Sequence, residues 1–137
     1  MGQVTVKQAI DAPAERVWAL LADFGNISWM PAGTTAEIEG EGVGMARVIG
    51  GPDQGIREVL ESRDAEKRTL VYSIPENIPF PVTGYRATMV VSEAGAGSEL
   101  SWTCSFEPDG VEEAQAAAQI EGMYGVMIGW IGDAAKG

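Results

Sequence analysis

An Ala-rich run that opens at Asp109 and continues to about Ala135 is the feature that most limits what this chain can fold into. Asp109 with Glu112 three residues on reads as a capping-box variant, so one helix is expected to start there. At ~1.5 Å per residue the run is roughly 40 Å long, too long for a small sheet to ignore. Upstream, from about residue 34 to 108, the segments Met45–Ile49, Ile56–Ser62, Thr69–Ile74, Tyr85–Ser92 and Glu99–Glu107 read as consecutive antiparallel strands. A Gly50–Gly55 loop and turns at Asp64–Lys67 and Glu93–Ser98 separate them. Residues 3 to 10 add a half-buried strand, with Val4, Val6 and Ile10 on one side and Thr5 and Lys7 on the other. Asp11-Ala12-Pro13 is expected to open a helix, Asp11 as cap and Pro13 in the first turn. Val17, Leu20, Leu21 and Phe24 form its apolar face before Gly25-Asn26 stops it. Strand, helix, strand meander and long helix make an α+β domain in which a curved sheet covers the last helix.

Charge then removes whole classes of function. The 137 residues, enough for one domain, carry 20 Asp and Glu against 9 Lys and Arg, a formal net charge of −11, and no histidine. Phosphate backbones and anionic lipid heads would be repelled, so no nucleic-acid partner is expected. Without histidine there is no Ser-His-Asp triad, Cys-His pair or imidazole base, and no metal or other cofactor is expected. Cys104 stands alone and cannot form an internal disulfide. Residues 1–7 show neither a charged leader nor an apolar h-region, which leads to an expectation of no signal peptide and a cytoplasmic location. The most apolar stretch, Met123 to Gly132, is too short to span a bilayer, so no stable membrane insertion is expected.

Several short motifs, taken in order, resemble one superfamily. They are Ala12-Pro13-Ala14-Glu15-Arg16-Val17-Trp18, Asp23-Phe24, Trp29-x-Pro31, and Gly42-Val43-Gly44 with Arg47. Further on come Arg57-Glu58 followed by Asp64, Tyr72-Ser73-Ile74, Pro79 to Tyr85, and Trp102 leading to Phe106-Glu107-Pro108. Together they resemble the SRPBCC superfamily of START-related, birch-pollen-allergen-like proteins, and within it the polyketide cyclase/dehydrase and lipid-transport group. The resemblance covers residues 1–137 as a single domain. It implies a helix-grip fold: a seven-stranded curved antiparallel sheet wrapped around a long C-terminal helix, with short helices after the first strand. It also implies an internal cavity for a hydrophobic or amphipathic molecule, but no fixed chemistry.

Strand faces narrow the candidates. In Ile56–Ser62, Arg57, Val59, Glu61 and Arg63 share the more charged face, which points Ile56, Glu58, Leu60 and Ser62 inward. A hairpin over the Gly50–Gly55 loop sets Ile49 opposite Ile56 and Arg47 opposite Glu58. The Arg47–Glu58 pair reads either as a structural ion pair or as a polar anchor. In the second case Arg47 binds a ligand carboxylate, enolate or phenolate, or Glu58 acts as a base. A turn over Asp64–Arg68 would align Leu70, Tyr72 and Ile74 with Ser62, Leu60 and Glu58. Tyr85, Ala87, Met89 and Val91 share a face, as do Trp102, Cys104 and Phe106. Tyr72 and Tyr85 need partners if buried, whether a ligand oxygen or a backbone carbonyl.

On the last helix Gly122, Gly125, Gly129 and Gly132 fall in one stripe, which forfeits about 4 kcal/mol of helix propensity. The stripe either leaves cavity volume for a ligand or lets the helix pack closely on sheet rings or a second subunit. Ile120, Met123, Tyr124 and Met127 lie beside it as candidate wall residues. The loop from Pro75 to Pro81 reads as a semi-rigid gate over a cavity mouth or as a stiff connection.

Two functions from different classes follow. One is a carrier or sensor, monomeric or homodimeric, that holds a lipid, polyketide or aromatic molecule against Arg47, Glu58, Leu60, Tyr72, Ile74, Tyr85, Met89 and Trp102 and the four helix residues just named. The other is a cofactor-independent cyclase or dehydratase using the same cavity, with Glu58, Arg47 and a tyrosine as acid, base or oxyanion partner.

Overall fold

A computed structural model describes residues 2–50 and 55–136, so most of the Gly50–Gly55 loop lies outside the described residues. Apolar alternation builds β1 (Gly2–Ile10), with Val4 and Ile10 buried and Thr5 and Lys7 exposed. α1 (Ala14–Ala22) follows, and here the expected cap is corrected. Pro13, not Asp11, precedes the first helical residue, in an extended conformation (φ −60°, ψ 145°) and with no side-chain cap. Its carbonyl accepts from the N–H of Arg16 at 3.0 Å and of Val17 at 3.2 Å. Proline's fixed φ leads straight into the helix, which leaves Asp11 two positions too early to cap. The residues from Asp23 to Met30 form turns instead of a further helix, with Asn26 N–H donating to Asp23 O and Met30 N–H to Ile27 O. Among the described residues one helix, not several, therefore follows the first strand.

The meander supplies β2 (Ala36–Glu39), β3 (Ala46–Ile49), β4 (Ile56–Asp64), β5 (Thr69–Ser73), β6 (Val82–Ala94) and β7 (Gly97–Pro108). With β1 they form one antiparallel sheet in the order β1-β7-β6-β5-β4-β3-β2. β2 carries little pattern to read, since three of its four residues are exposed and its Ile38 is among them.

Register decides which side chains turn inward. Arg47 faces Glu58 and Ile49 faces Ile56, as the hairpin geometry predicts. Leu60 faces Tyr72, but a bulge between Leu60 and Ser62 then sets Leu70 opposite Arg63 instead of Ser62. One extra residue exchanges the two faces of a strand. Ser62 is accordingly exposed, and Arg63 leaves the outer face expected for it to donate Nη1–H to Ala22 O at 2.6 Å. A cation thus sits on the C-terminal carbonyls of α1. Ile74 lies just past the end of β5, its N–H bonded to Tyr85 O.

α2 (Glu113–Lys136) starts four residues later than Asp109. Gly110 holds φ at 80°, outside the helical region, so no helix runs through it. The capping geometry forms at Glu112 instead. Its N–H donates to Gln115 Oε1 at 3.3 Å, and its carbonyl accepts from the N–H of Gln115 and of Ala116. Ala116, Ile120, Tyr124, Ile128, Ile131 and Ala135 form the buried face, packed on β1, β7 and α1. This is the helix-grip arrangement. No described helix is long and apolar enough to cross a membrane.

Candidate functional site

Between the sheet and α2 lies a cavity of about 300 Å³. β3 and β4 give it Arg47, Ile49, Ile56 and Glu58, and β5, β6 and β7 give it Tyr72, Tyr85 and Trp102. Ile74 and the loop residues Pro79 and Phe80 close one side, Trp29, Met30, Pro31 and Thr34 another. α2 contributes Met123, Met127 and Trp130, which recur at helical spacing.

Arg47 and Glu58 form the polar feature of this wall. Arg47 Nε–H donates to Glu58 Oε1 at 2.6 Å, with the side chains only 6% and 12% exposed. Nη1–H donates to Phe24 O at 3.0 Å, and the guanidinium lies over the Phe24 ring, 4.0 Å from its centroid. These two bonds engage Nε and Nη1, so Nη2 is used by neither. Bonded charges of this kind satisfy each other first.

The phenols find partners that neither sequence alternative named. Trp102 Nε1–H donates to Tyr72 Oη at 3.2 Å, Tyr72 and Tyr85 share a hydroxyl bond at 3.3 Å, and Tyr85 in turn bonds Tyr124. Tyr124 also stacks on Trp102, with centroids 4.4 Å apart and planes at 17°. Burial drives the ionisation of all three phenols upward. For Tyr72 the nearby Glu58 charge adds to this, and Tyr85 and Tyr124 are raised further by the neighbouring phenols. They are therefore neutral donors at physiological pH. Burial also raises the Cys104 thiol, against a smaller lowering by its bond to Tyr124, so it is not an activated nucleophile.

Of the sequence candidates, Arg47, Glu58, Tyr72, Ile74, Tyr85, Trp102, Met123 and Met127 line the cavity. Leu60, Met89, Ile120 and Tyr124 do not. They are at most 2% exposed and sit in the core behind the wall. Tyr124 reaches the site through the Tyr85 hydroxyl and its stacking on Trp102. Ile49 and Ile56, which strand alternation turns inward with Arg47 and Glu58, join the lining without having been named as ligand residues, and Trp130 was missed, although helical spacing from Met123 and Met127 could have found it. Trp29, Met30 and Thr34 lie in irregular chain and carry no periodic signal.

The glycine stripe neither lines the cavity nor packs on rings. A Cβ added at Gly122 or Gly129 would meet nothing within 4 Å. At Gly125 and Gly132 it would meet only Gln8 and Ile10 of β1, at 3.6 and 3.7 Å. The stripe runs along the flank of α2, half against an edge strand and half open.

Comparison with known proteins agrees with this architecture. Residues 1–128 match the family model described as polyketide cyclase / dehydrase and lipid transport. No protein with a curated description matches the sequence. Among solved structures, XoxI from Bacillus cereus is 28% identical with a TM-score of 0.81, covering 98% of this chain and 95% of that one. An uncharacterised protein from Bacillus thuringiensis is 27% identical with a TM-score of 0.85, covering 99% and 100%. Norcoclaurine synthase from Thalictrum flavum, at 18% identity, TM-score 0.73 and coverage of 96% and 84%, shares the fold. With the model match running through nearly the whole helix-grip fold, the chain belongs to the polyketide cyclase / dehydrase and lipid transport family of the SRPBCC superfamily.

Proposed function

We propose that the protein binds a hydrophobic or amphipathic small molecule in the cavity between sheet and α2, as a carrier or sensor. The observation that carries this is the apolar wall around about 300 Å³ with one charged pair set in it. That size lies at the lower end of ligand pockets, which suits a compact aromatic or short-chain molecule. The pairing also weighs against the enzymatic reading. Glu58 already gives Oε1 to the Arg47 Nε–H at 2.6 Å, so the pair serves itself before any substrate. Neutral phenols can hold a ligand oxygen but offer no base.

Native mass spectrometry of the protein as purified, followed by titration with aromatic, fatty-acid and sterol ligands, tests the proposal. Saturation at one ligand per chain without conversion supports it, and chemical conversion of the ligand would reverse the preference for a carrier. Met127→Trp places an indole in the cavity and is expected to weaken binding at least tenfold with the fold retained. Undiminished binding in that variant would remove the cavity from the proposal.

A further inference from the structure

Arg47 and Glu58 meet through one hydrogen bond where their shapes allow two. A guanidinium offers Nε–H and Nη2–H along one edge, a fork that matches both oxygens of a carboxylate. On the surface, Arg57 and Glu39 do form two parallel bonds, Nη1–H to Oε1 at 2.7 Å and Nη2–H to Oε2 at 2.9 Å. The buried pair uses only Nε and Oε1, and Nη1 turns to Phe24 O. Arg47 Nη2 and Glu58 Oε2 enter no hydrogen bond among the described residues. Neither is enclosed, since the buried side-chain nitrogen or oxygen left without a partner among those residues is Trp29 Nε1. Both side chains lie in the cavity wall, so one donor and one acceptor stand open to that space. The hydroxyls of the wall are already engaged. Tyr72 and Tyr85 bond each other as well as Trp102 and Tyr124, and Thr34 donates to Pro31 O at 2.6 Å.

Covalent geometry and the 2.6 Å bond keep Nη2 and Oε2 no more than about 6 Å apart. Two hydrogen bonds of ~2.9 Å laid end to end cover that distance, so one ligand oxygen reaches both. The pair then selects what that oxygen carries. A carboxylate or phenolate would serve Nη2 but set its lone pairs against Oε2, as a third buried charge without a countercharge. An ammonium group has the opposite fault, since it serves Oε2 and repels Arg47. A carbonyl accepts from Nη2–H and leaves Oε2 facing another acceptor. A hydroxyl has one O–H and two lone pairs, so it serves both atoms and adds no charge to a pair that is already neutral.

We infer that the ligand is a neutral, largely apolar molecule bearing a hydroxyl, an alcohol or a phenol, whose O–H donates to Glu58 Oε2 and whose oxygen accepts from Arg47 Nη2–H. The inference rests on the cavity-binding proposal and adds the ligand's polar group and the two atoms that read it. It makes the ion pair a reader of a neutral group, in place of the anion expected for Arg47.

Four probes of similar shape test it: naphthol, methoxynaphthalene, methylnaphthalene and naphthoate, titrated against the full chain by calorimetry at neutral pH, where naphthol keeps its proton. Naphthol is expected to bind about tenfold more tightly than methylnaphthalene. Methoxynaphthalene accepts but cannot donate, and is expected to gain nothing over methylnaphthalene, with naphthoate the weakest. In labelled protein the Glu58 carboxyl carbon resonance is expected to shift with naphthol and not with methylnaphthalene. Arg47→Met/Glu58→Leu removes both open atoms together with both charges, and within that variant naphthol and methylnaphthalene are expected to bind alike. Equal affinity for these two in the parent, methoxynaphthalene as tight as naphthol, tightest binding of naphthoate, or an unmoved Glu58 resonance would overturn the assignment while leaving the cavity proposal standing. A naphthol preference that survives in the double variant would overturn it as well. Failure of all four probes to bind would count against the cavity proposal itself, and this assignment would fall with it. If the double variant does not fold, the probe series and the Glu58 resonance in the unaltered protein decide.

Discussion

Breaking the Arg47–Glu58 pair from one side only is the sharpest test of the energetics argued here. Glu58→Gln keeps the shape of the side chain and removes its charge, leaving a guanidinium that is 6% exposed without its counterion. Losing one partner of a buried pair costs about 3–5 kcal/mol. The lower figure applies, because Phe24 O and the Phe24 ring still hold Arg47 and Glu58 borders an open cavity. With an unfolding entropy of ~2.1 cal/mol/K per residue, 137 residues give about 0.29 kcal/mol/K. A loss of ~3 kcal/mol then lowers Tm by about 10 °C. Arg47→Met/Glu58→Leu removes both charges and both desolvation costs. It forfeits the bond to Phe24 O, so a net loss of only ~1 kcal/mol is expected. Urea and thermal unfolding of the parent, Arg47→Met, Glu58→Leu and the double variant form a complete cycle, with Glu58→Gln measured beside it. A Glu58→Gln loss under ~0.5 kcal/mol would show that the pair behaves as a surface contact. A double variant costing the sum of the singles would show that the two charges are not coupled. Either result refutes the reasoning.

Three further outcomes follow from the same structure. Tyr72, Tyr85 and Tyr124 all ionise above their ordinary value of 10.0, so above that pH the unfolded chain releases protons that the native protein keeps. Their contribution is complete below pH 10 and is lost above it, with a slope approaching ~4 kcal/mol per pH unit for three phenols; alkaline unfolding with no dependence on Tyr85→Phe would contradict this. Gly122→Ala/Gly129→Ala adds methyls that meet nothing within 4 Å, so helix propensity alone acts and stability is expected to rise by about 1–2 kcal/mol in urea unfolding. Gly97→Ala is expected to do the opposite, since its Cβ would lie 2.6 Å from the Ile10 carbonyl oxygen, and a Tm within 2–4 °C of the parent, a loss of only ~1 kcal/mol, would show that β1 can shift to receive it.

How much of the site could be read beforehand depended on how regular the local chain is. Arg47 opposite Glu58 was legible because a two-residue period and one hairpin fix both register and face. The same logic failed four and five residues later at Ser62 and Arg63, where a bulge adds a residue that no pattern announces. Leu60, Met89 and Ile120 point inward as expected, yet core layers and cavity wall share one apolar alphabet, and the pattern cannot tell depth. The stripe on α2 shows the same limit. Its spacing was plain, but whether it met the sheet, the cavity or solvent depended on how the helix is rotated against β1.

By itself, then, the sequence determined the α+β order, the strand faces, the long C-terminal helix and the absence of imidazole and disulfide chemistry. Each of these follows from local periodicity or from composition. The tertiary structure alone decided that irregular residues around Trp29 fold onto the mouths of strands far away in the chain. It also decided that three phenols would meet in one hydroxyl chain, and that one indole N–H would be buried without an acceptor. Such meetings join residues tens of positions apart, and their free energy depends on the packing of the whole domain.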